Sequence, residues 1–320
     1  MNNKKEINIL FLGGGKRVSI AQYFKQYGEA YGIKINIFSY ELIREVPIAI
    51  EGEVIIGMRW NEKGVIEDLK RVICQKRIAI VLPFVDPSVE VASYLKTECN
   101  SVFIPVSEAG IWNVMFDKIL AAHWFAEHQI GQPIFYEGKN NYAYPVILKP
   151  RWGSASRGIR VISREEEFPI SLNRDKYIIQ EYIADRTEFT VDCYVGKNQE
   201  IISIVPRIRE EVAGGEVTRS RVVRELAVIE IAEKILKAGE FRGPVTLQFI
   251  KDNKKEKLYI MEINPRLGGG VIASISAGSG MISFIVKEAL GEEITRVDDW
   301  KAGTLMTRYL KEVVFYADHY

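Results

Sequence analysis

The chain has little cysteine, little histidine and no excess of charge of either sign. Cys74, Cys99 and Cys193 lie far apart in apolar runs and form no CxxC pair. That excludes a disulfide framework or a cysteine zinc site and suits a reducing, cytoplasmic setting. Lys and Arg number 43 against 42 Asp and Glu, a formal net charge of +1. A nucleic-acid or anionic-membrane surface normally shows as a basic excess, so neither partner is expected. No apolar run reaches membrane-span length: "VIASISAGSGMISFIV" is interrupted by Gly and Ser. The N-terminal apolar run "INILFL" is too short for a signal-peptide core. Internal repeats and low-complexity tracts are absent, and no Ser/His/Asp or Cys/His nucleophile set stands out. His123 and His128 fall on one predicted helix and read as packing or surface rather than as a metal pair.

What the chain does have is apolar content, 47% of 320 residues, enough for two or three packed units. Strand-like "INILFL" (7–12), "IKINIF" (33–38) and "IAIVLPF" (78–84) alternate with helical stretches at 17–32 and near 63–75. This pattern predicts a doubly wound parallel α/β domain over 1–105. From about 131 the texture changes to short strands and turns, with helices expected at 222–238 and 271–290. The expected division is 1–105, then a linker helix and small lid subdomain at 106–185, then a C-terminal α+β subdomain at 186–320.

Four stretches of the second half carry chemistry. In "PVTLQFI" (244–250) and "LYIMEINPRLGGG" (258–270), a turn centred on Lys255 puts Gln248 opposite Glu262. Alternation puts Asn264 on the same strand face as Glu262. Three oxygen donors with one carboxylate suit Mg2+, with Mn2+ as a substitute, and Arg266 two residues on is placed to grip a phosphoryl group or carboxylate. A solvated strand face with surface ion pairs fits the same spacing. In "VILKPRWGSASRGIRVI" (146–162), Lys149 supplies a point charge. The loop with Gly153, Ser154, Ser156 and Gly158 exposes backbone N–H groups that suit phosphate, or is an ordinary hairpin turn. It is not a Walker loop, because Ile159 and Arg160 stand where Lys and Ser/Thr belong. "IIQEYIADRTEFTVD" places Glu181 and Glu188 at a strand junction, where a carboxylate can accept ribose hydroxyls or be merely exposed. Arg207 and Arg209 share one side of a strand that runs into Gly214-Gly215, which reads as a glycine lid over polyphosphate or a solvated hairpin.

In order, the segments "DK" (117–118), "LKP" with its glycine loop, "QEYI", "EFTVD", "GPVTLQ" and "MEINPR" resemble the ATP-grasp superfamily, specifically its carbamoyl-phosphate-synthetase-like branch, over residues 117–270. The resemblance implies an ATP-grasp fold of two α+β subdomains behind the N-terminal unit. It implies that Lys118 and Lys149 contact ATP phosphates and that residues 180–183, including Glu181, Tyr182 and Ile183, line adenine through backbone groups. Glu188 would hold the ribose. Gln248, Glu262 and Asn264 would bind Mg2+, and Arg266 would steady the transferred phosphoryl group. Carbamoyl-phosphate synthetase has two such halves and a glutaminase partner; one half here implies a stand-alone ligase joining a small carboxylate to an amine or thiol, with room for a homodimer. A substrate pocket is expected between the N-terminal unit and the grasp core, lined by Gly14, Gly15, Lys16, Arg17, Asp86, Glu90 and Gly269. Lys16 and Arg17 at a helix start would favour an anion, and Asp86 or Glu90 an ammonium. A non-catalytic nucleotide-binding regulator is the rival reading. An NAD(P) oxidoreductase is a weaker one, because Val18 occupies the third glycine position after Gly13 and Gly15.

Overall fold

A computed structural model describes residues 5–138, 141–153, 157–169 and 171–316. Three sheets organise the chain. The first is parallel, ordered β3-β2-β1-β4, from strands β1 Lys5–Leu12, β2 Ile33–Glu41, β3 Glu53–Ile56 and β4 Ile78–Pro83. Its central strand β1 is a near-continuous apolar run because both its faces are covered. Helix α1 Val18–Ala30 packs Ile20, Ala21 and Phe24 against Ile7, Ile9 and Phe11 on one face. Helices α2 Val65–Lys76 and α3 Asp86–Glu98 cover Leu10 and Leu12 on the other. Helix α3 opens directly after β4, with Pro87 in its first turn, where a missing N–H costs no hydrogen bond.

Helices α4 Ala109–Phe116 and α5 Lys118–Glu127 lead into a three-stranded antiparallel sheet ordered β6-β5-β7. Its strands are β5 Val146–Pro150, β6 Arg160–Ile162 and β7 Tyr177–Glu181. Asp117 explains both the start of α5 and the position of the loop after β5. Its carboxylate accepts from the N–H groups of Ile119 and Leu120, a side-chain N-cap, and also from Arg151 Nε at 2.6 Å. The Lys118 N–H donates to the Arg151 carbonyl, so the helix start and the loop are clamped together.

The six-stranded sheet, ordered β12-β11-β8-β9-β10-β13, forms the remainder. It comprises β8 Arg186–Val195, β9 Ile201–Ala213, β10 Glu216–Val222, β11 Gly243–Asp252, β12 Lys257–Asn264 and β13 Leu305–Thr307. Helix α6 Leu226–Ala238 packs Val228, Ala232, Ile235 and Leu236 against Val191, Cys193 and Leu247. The single helix expected at 271–290 is instead two, α7 Ile272–Ser276 and α8 Met281–Ala289. Gly278 and Gly280 between them have φ of 98° and 77°, which break the helix in a left-handed conformation that glycine adopts at low cost. Met281, Ile282 and Phe284 of α8 join the core of the parallel sheet, tying the first sheet to the third.

Candidate active site

Two cavities meet at the β11–β12 ribbon. The first, about 310 Å³, lies between the three-stranded and six-stranded sheets. Ile147, Val161, Phe249, Ile250 and Met261 make an apolar slot, and Glu181, Tyr182 and Ile183 form one edge of it. Lys118, Lys149, Gly153, Arg157, Arg186 and Arg209 add cationic or N–H groups to its lining, Arg186 beside Tyr182 and Ile183. The second cavity, about 290 Å³, opens between the first turn of α3 and the glycines that follow β12. Both are lined by Gln248, Glu262 and Arg209.

Gln248 pairs directly with Glu262, and Thr246 with Asn264, the register that follows from a turn at Lys255. Asn264 Nδ2 donates to Glu262 Oε1 at 2.6 Å, which orients the carboxylate and turns the amide oxygen away from that bond. Among the described residues no group of three His, Cys, Asp or Glu could hold a metal. A cation here therefore relies on amide oxygens and on the phosphates it would bridge. One carboxylate and two amides fit Mg2+, which binds few protein ligands and retains waters.

Lys149 is buried on β5, and its Nζ reaches Gln180 Oε1 at 3.0 Å but no carboxylate. Burial pushes its pKa down to about 8; the nearby charges of Lys118 and Arg186 act in the same direction, against the opposing pull of Glu262. A buried ammonium without a counter-ion is costly, and an incoming phosphate would supply one. Lys118 Nζ donates to the Gly153 carbonyl at 2.8 Å, holding the mouth of the loop.

The sign of the resulting pH dependence follows directly. Below pH 8 Lys149 is already charged and phosphate binding moves no proton there. Above it the free protein holds neutral Lys149 while the bound form favours the ammonium, so binding takes up a proton and affinity falls as pH rises. We expect the Mg-ADP dissociation constant to rise by up to about tenfold per pH unit above 8. Lys149→Met should bind more weakly and lose that slope, as measured by calorimetry in buffers of different ionisation enthalpy.

The other expected residues divide between these cavities and other roles. Glu188 lines the first cavity but pairs with Arg186 Nε at 2.9 Å and Arg209 Nε at 3.5 Å. Glu181 is held by Lys255 at 2.8 Å. Gly158 closes the loop turn with φ of 74° and lies outside the cavity lining. Ser154 and Ser156 lie outside the described residues. Arg207 is not part of a lid: it is 2% exposed, its Nε bonds Asp192 at 2.8 Å, and Asp192 also accepts from Ser274. The glycine hairpin at 214–215 joins β9 to β10, which lies within the sheet.

The substrate end needs more correction. The Glu41 carboxylate lies against the Gly14–Gly15 backbone and Lys16 is exposed, and none of Gly14, Gly15 and Lys16 lines either cavity. Glu90 lines neither cavity. Asp86 does line the second, but its Oδ1 accepts from Arg266 Nε at 2.7 Å and Nη2 at 2.6 Å, so it is not free for an ammonium. Arg17 and Gly269 do line that cavity. His123 pairs with Glu137 Oε2 at 2.7 Å, while His128 bonds the Trp124 carbonyl and stacks on its ring; the two imidazoles do not converge.

Arg186 and Thr190 are not among the residues expected from sequence, and Gln180, expected to act through its backbone, also uses its side chain on Lys149. Arg186 was detectable, since it stands two residues before Glu188 and therefore on the same strand face. Thr190, two residues after Glu188, shares that face by the same alternation, whereas the apolar slot carries no comparable sequence signal.

Residues 173–312 match the family described as ATP-grasp in the biosynthetic pathway with Ter operon. Over 92% of this chain and 80% of that one, the fold is similar to that of N5-carboxyaminoimidazole synthetase from Staphylococcus aureus solved with ADP, at TM-score 0.71 and 18% identity. The match over residues 173–312 is to an ATP-grasp family. The biotin carboxylase domain of Hydrogenobacter thermophilus 2-oxoglutarate carboxylase, solved with MgADP and bicarbonate, has TM-score 0.73 at 16% identity over 93% and 73% of the two chains. Among curated relatives, a D-alanine–D-alanine ligase of Rickettsia canadensis (strain McKiel) is 26% identical over 225 residues, 59% of this chain and 62% of its own. The C-terminal section of the carbamoyl phosphate synthase large chain of Methanopyrus kandleri is 26% identical over 180 residues, 51% and 33%. The chain thus spans less than two thirds of these relatives. The family match covers the ATP-grasp ribbon with Gln248, Glu262, Asn264 and Arg266, but not Lys118 or Lys149. No helix among the described residues is long and apolar enough to cross a membrane.

Proposed function

We propose that the protein is a Mg2+- and ATP-dependent ligase that activates a small carboxylate as an acyl phosphate and transfers the acyl group to an amine. The observation that carries this reading is the junction of the two cavities at Gln248, Glu262 and Arg209. A nucleotide with its base in the apolar slot would direct its terminal phosphate to that junction, where an acid in the second cavity can reach it.

In this reading Lys149 and Lys118 hold the phosphates, and backbone groups at 181–183 read the base. Gln248, Glu262 and Asn264 would hold the metal, which when bound neutralises charge on the phosphate oxygens. A carboxylate oxygen attacks the γ-phosphorus, the bond to the β-phosphate oxygen breaks, and ADP leaves. The amine then attacks the acyl carbon, a proton is lost and phosphate departs. Arg266 lines the second cavity and stands beside the phosphoryl group throughout, fixed by its fork on Asp86. No nucleophilic side chain is needed, because catalysis rests on positioning and electrostatics. We further take the N-terminal parallel sheet as the doubly wound unit that precedes the grasp fold, a cytoplasmic setting for ATP supply, and small-molecule partners only.

Hydroxylamine replaces an unidentified amine in the test. Incubation with Mg-ATP and a set of carboxylic acids should give ADP and an acyl hydroxamate in equal amounts for some acids. Nucleotide binding with no ADP from any acid would instead favour a non-catalytic regulator.

A further inference from the structure

The second cavity contains more positive charge than its own carboxylates neutralise. Its arginines are Arg17, Arg207, Arg209 and Arg266. Arg207 is paired with Asp192 and Arg266 with Asp86. Arg209 meets Glu188 at 3.5 Å, yet its buried Nε makes no hydrogen bond. Arg17 makes no hydrogen bond or ion pair through its side chain among the described residues; its guanidinium lies 5.8 Å from the centre of the Phe84 ring. It faces the glycines after β12, where a Cβ on Gly269 would come within 3.9 Å of Nη1. Thr190 Oγ1, another buried group on the same cavity wall, also lacks a partner.

The acids of the cavity are all in use. Asp86 is held by Arg266, Glu216 by Arg308 at 2.6 Å, and Glu262 is bonded to Asn264 on the metal face. An ammonium group would find no free carboxylate. Burial, and after it the neighbouring charge of Arg266, hold the Arg17 guanidinium down at about 10, against the opposing pull of Glu216, with which it forms no ion pair. A cavity of about 290 Å³ limits the occupant to a small metabolite.

Resting on the ligase reading, we propose that the acid activated here is a small dianion without an ammonium group. One carboxylate faces the Gln248–Glu262 junction, and a second anionic group, carboxylate or phosphate, is clamped by Arg17. Arg17 comes from the N-terminal unit and Arg209 from the six-stranded sheet, so a dianion of the right length draws the two walls together. A monocarboxylate leaves Arg17 without a counter-ion, and a zwitterionic amino acid adds a cation to an already positive cavity.

Hydroxamate formation with Mg-ATP is compared for acetate, alanine, succinate, glutarate and 3-phosphoglycerate. We expect kcat/KM for at least one of the last three to exceed those for acetate and alanine by about 100-fold, the order a charge-assisted contact supplies. Succinate and glutarate against 3-phosphoglycerate decide between carboxylate and phosphate as the second group. R17M should raise KM for the preferred acid by about 10- to 100-fold, more than it lowers kcat, and R17K should recover part of the loss. The melting temperature of ligand-free R17M should not fall, since an uncompensated buried cation has been removed. Acetate or alanine turning over as well as the dianions, or a KM that R17M leaves unmoved, overturns this inference alone. Bound Mg-ATP with no ADP or hydroxamate from any acid overturns it together with the ligase reading.

Discussion

Glu262→Gln is expected to lower Mg2+-dependent ADP formation by at least about 1,000-fold while leaving the fold intact. The substitution preserves shape and leaves an amide oxygen to accept the Asn264 hydrogen bond now made to Glu262 Oε1. It removes the only carboxylate in a donor set otherwise made of amides, and a hard divalent cation depends on that charge. Loss of a group that stabilises charge in phosphoryl transfer commonly costs several kcal/mol of barrier. A second readout does not depend on turnover. Glu262 is the first of the charges that raise the Lys149 pKa, so its neutralisation should move the onset of proton uptake on nucleotide binding to lower pH. Unchanged turnover with unchanged metal dependence would remove Glu262 from the metal set.

Arg266→Met should reduce kcat by about 100- to 1,000-fold, the range for removing a guanidinium from developing phosphoryl charge. Arg266→Lys should recover little of this, because an ammonium cannot reproduce the fork that holds Nε and Nη2 on Asp86 Oδ1 at 2.7 and 2.6 Å. Arg266→Met also leaves a buried Asp86 carboxylate without its partner, at a cost to stability of about 3–5 kcal/mol. Combining it with Asp86→Asn should restore much of the stability but none of the activity. Urea unfolding beside single-turnover ADP formation separates the two effects. Recovery of activity in the double variant would make Arg266 a structural residue only.

Periodicity and alternation explain which parts of this architecture could be read from sequence. The β11–β12 ribbon was legible because a charged turn sits between two apolar runs, and a strand period of two then fixes which side chains share a face. Gln248 opposite Glu262 required nothing else. Strands β1, β2 and β4 were legible as apolar runs bounded by glycine and helical stretches. The break between α7 and α8 was read through, although Gly-Ser-Gly at 278–280 interrupts the apolar run; the positive φ of Gly278 and Gly280 ends the helix there.

At the site, residue type alone misassigned groups whose charge is satisfied by distant partners. Asp86 and Arg266 are 180 residues apart, and Arg207 and Asp192 sit on neighbouring strands. No local pattern announces that these charges neutralise each other. The Gly14–Gly15 loop has the composition of an anion cradle, yet it lines neither cavity, and the pairing of β1 with β2 brings Glu41 against it. Arg17, three residues from that loop's first glycine, forms no ion pair with any carboxylate among the described residues, although Glu216 is near enough to act on its charge.

The most direct test is a crystal structure with Mg2+ and a non-hydrolysable ATP analogue. We expect a divalent ion bound by oxygens of Glu262 and Asn264, the base in the slot of Phe249, Ile250 and Met261, and the γ-phosphate facing the cavity that holds Arg17 and Arg266. A triphosphate bound with its terminal group turned away from the β11–β12 ribbon, or a metal held by other residues, would contradict this expectation.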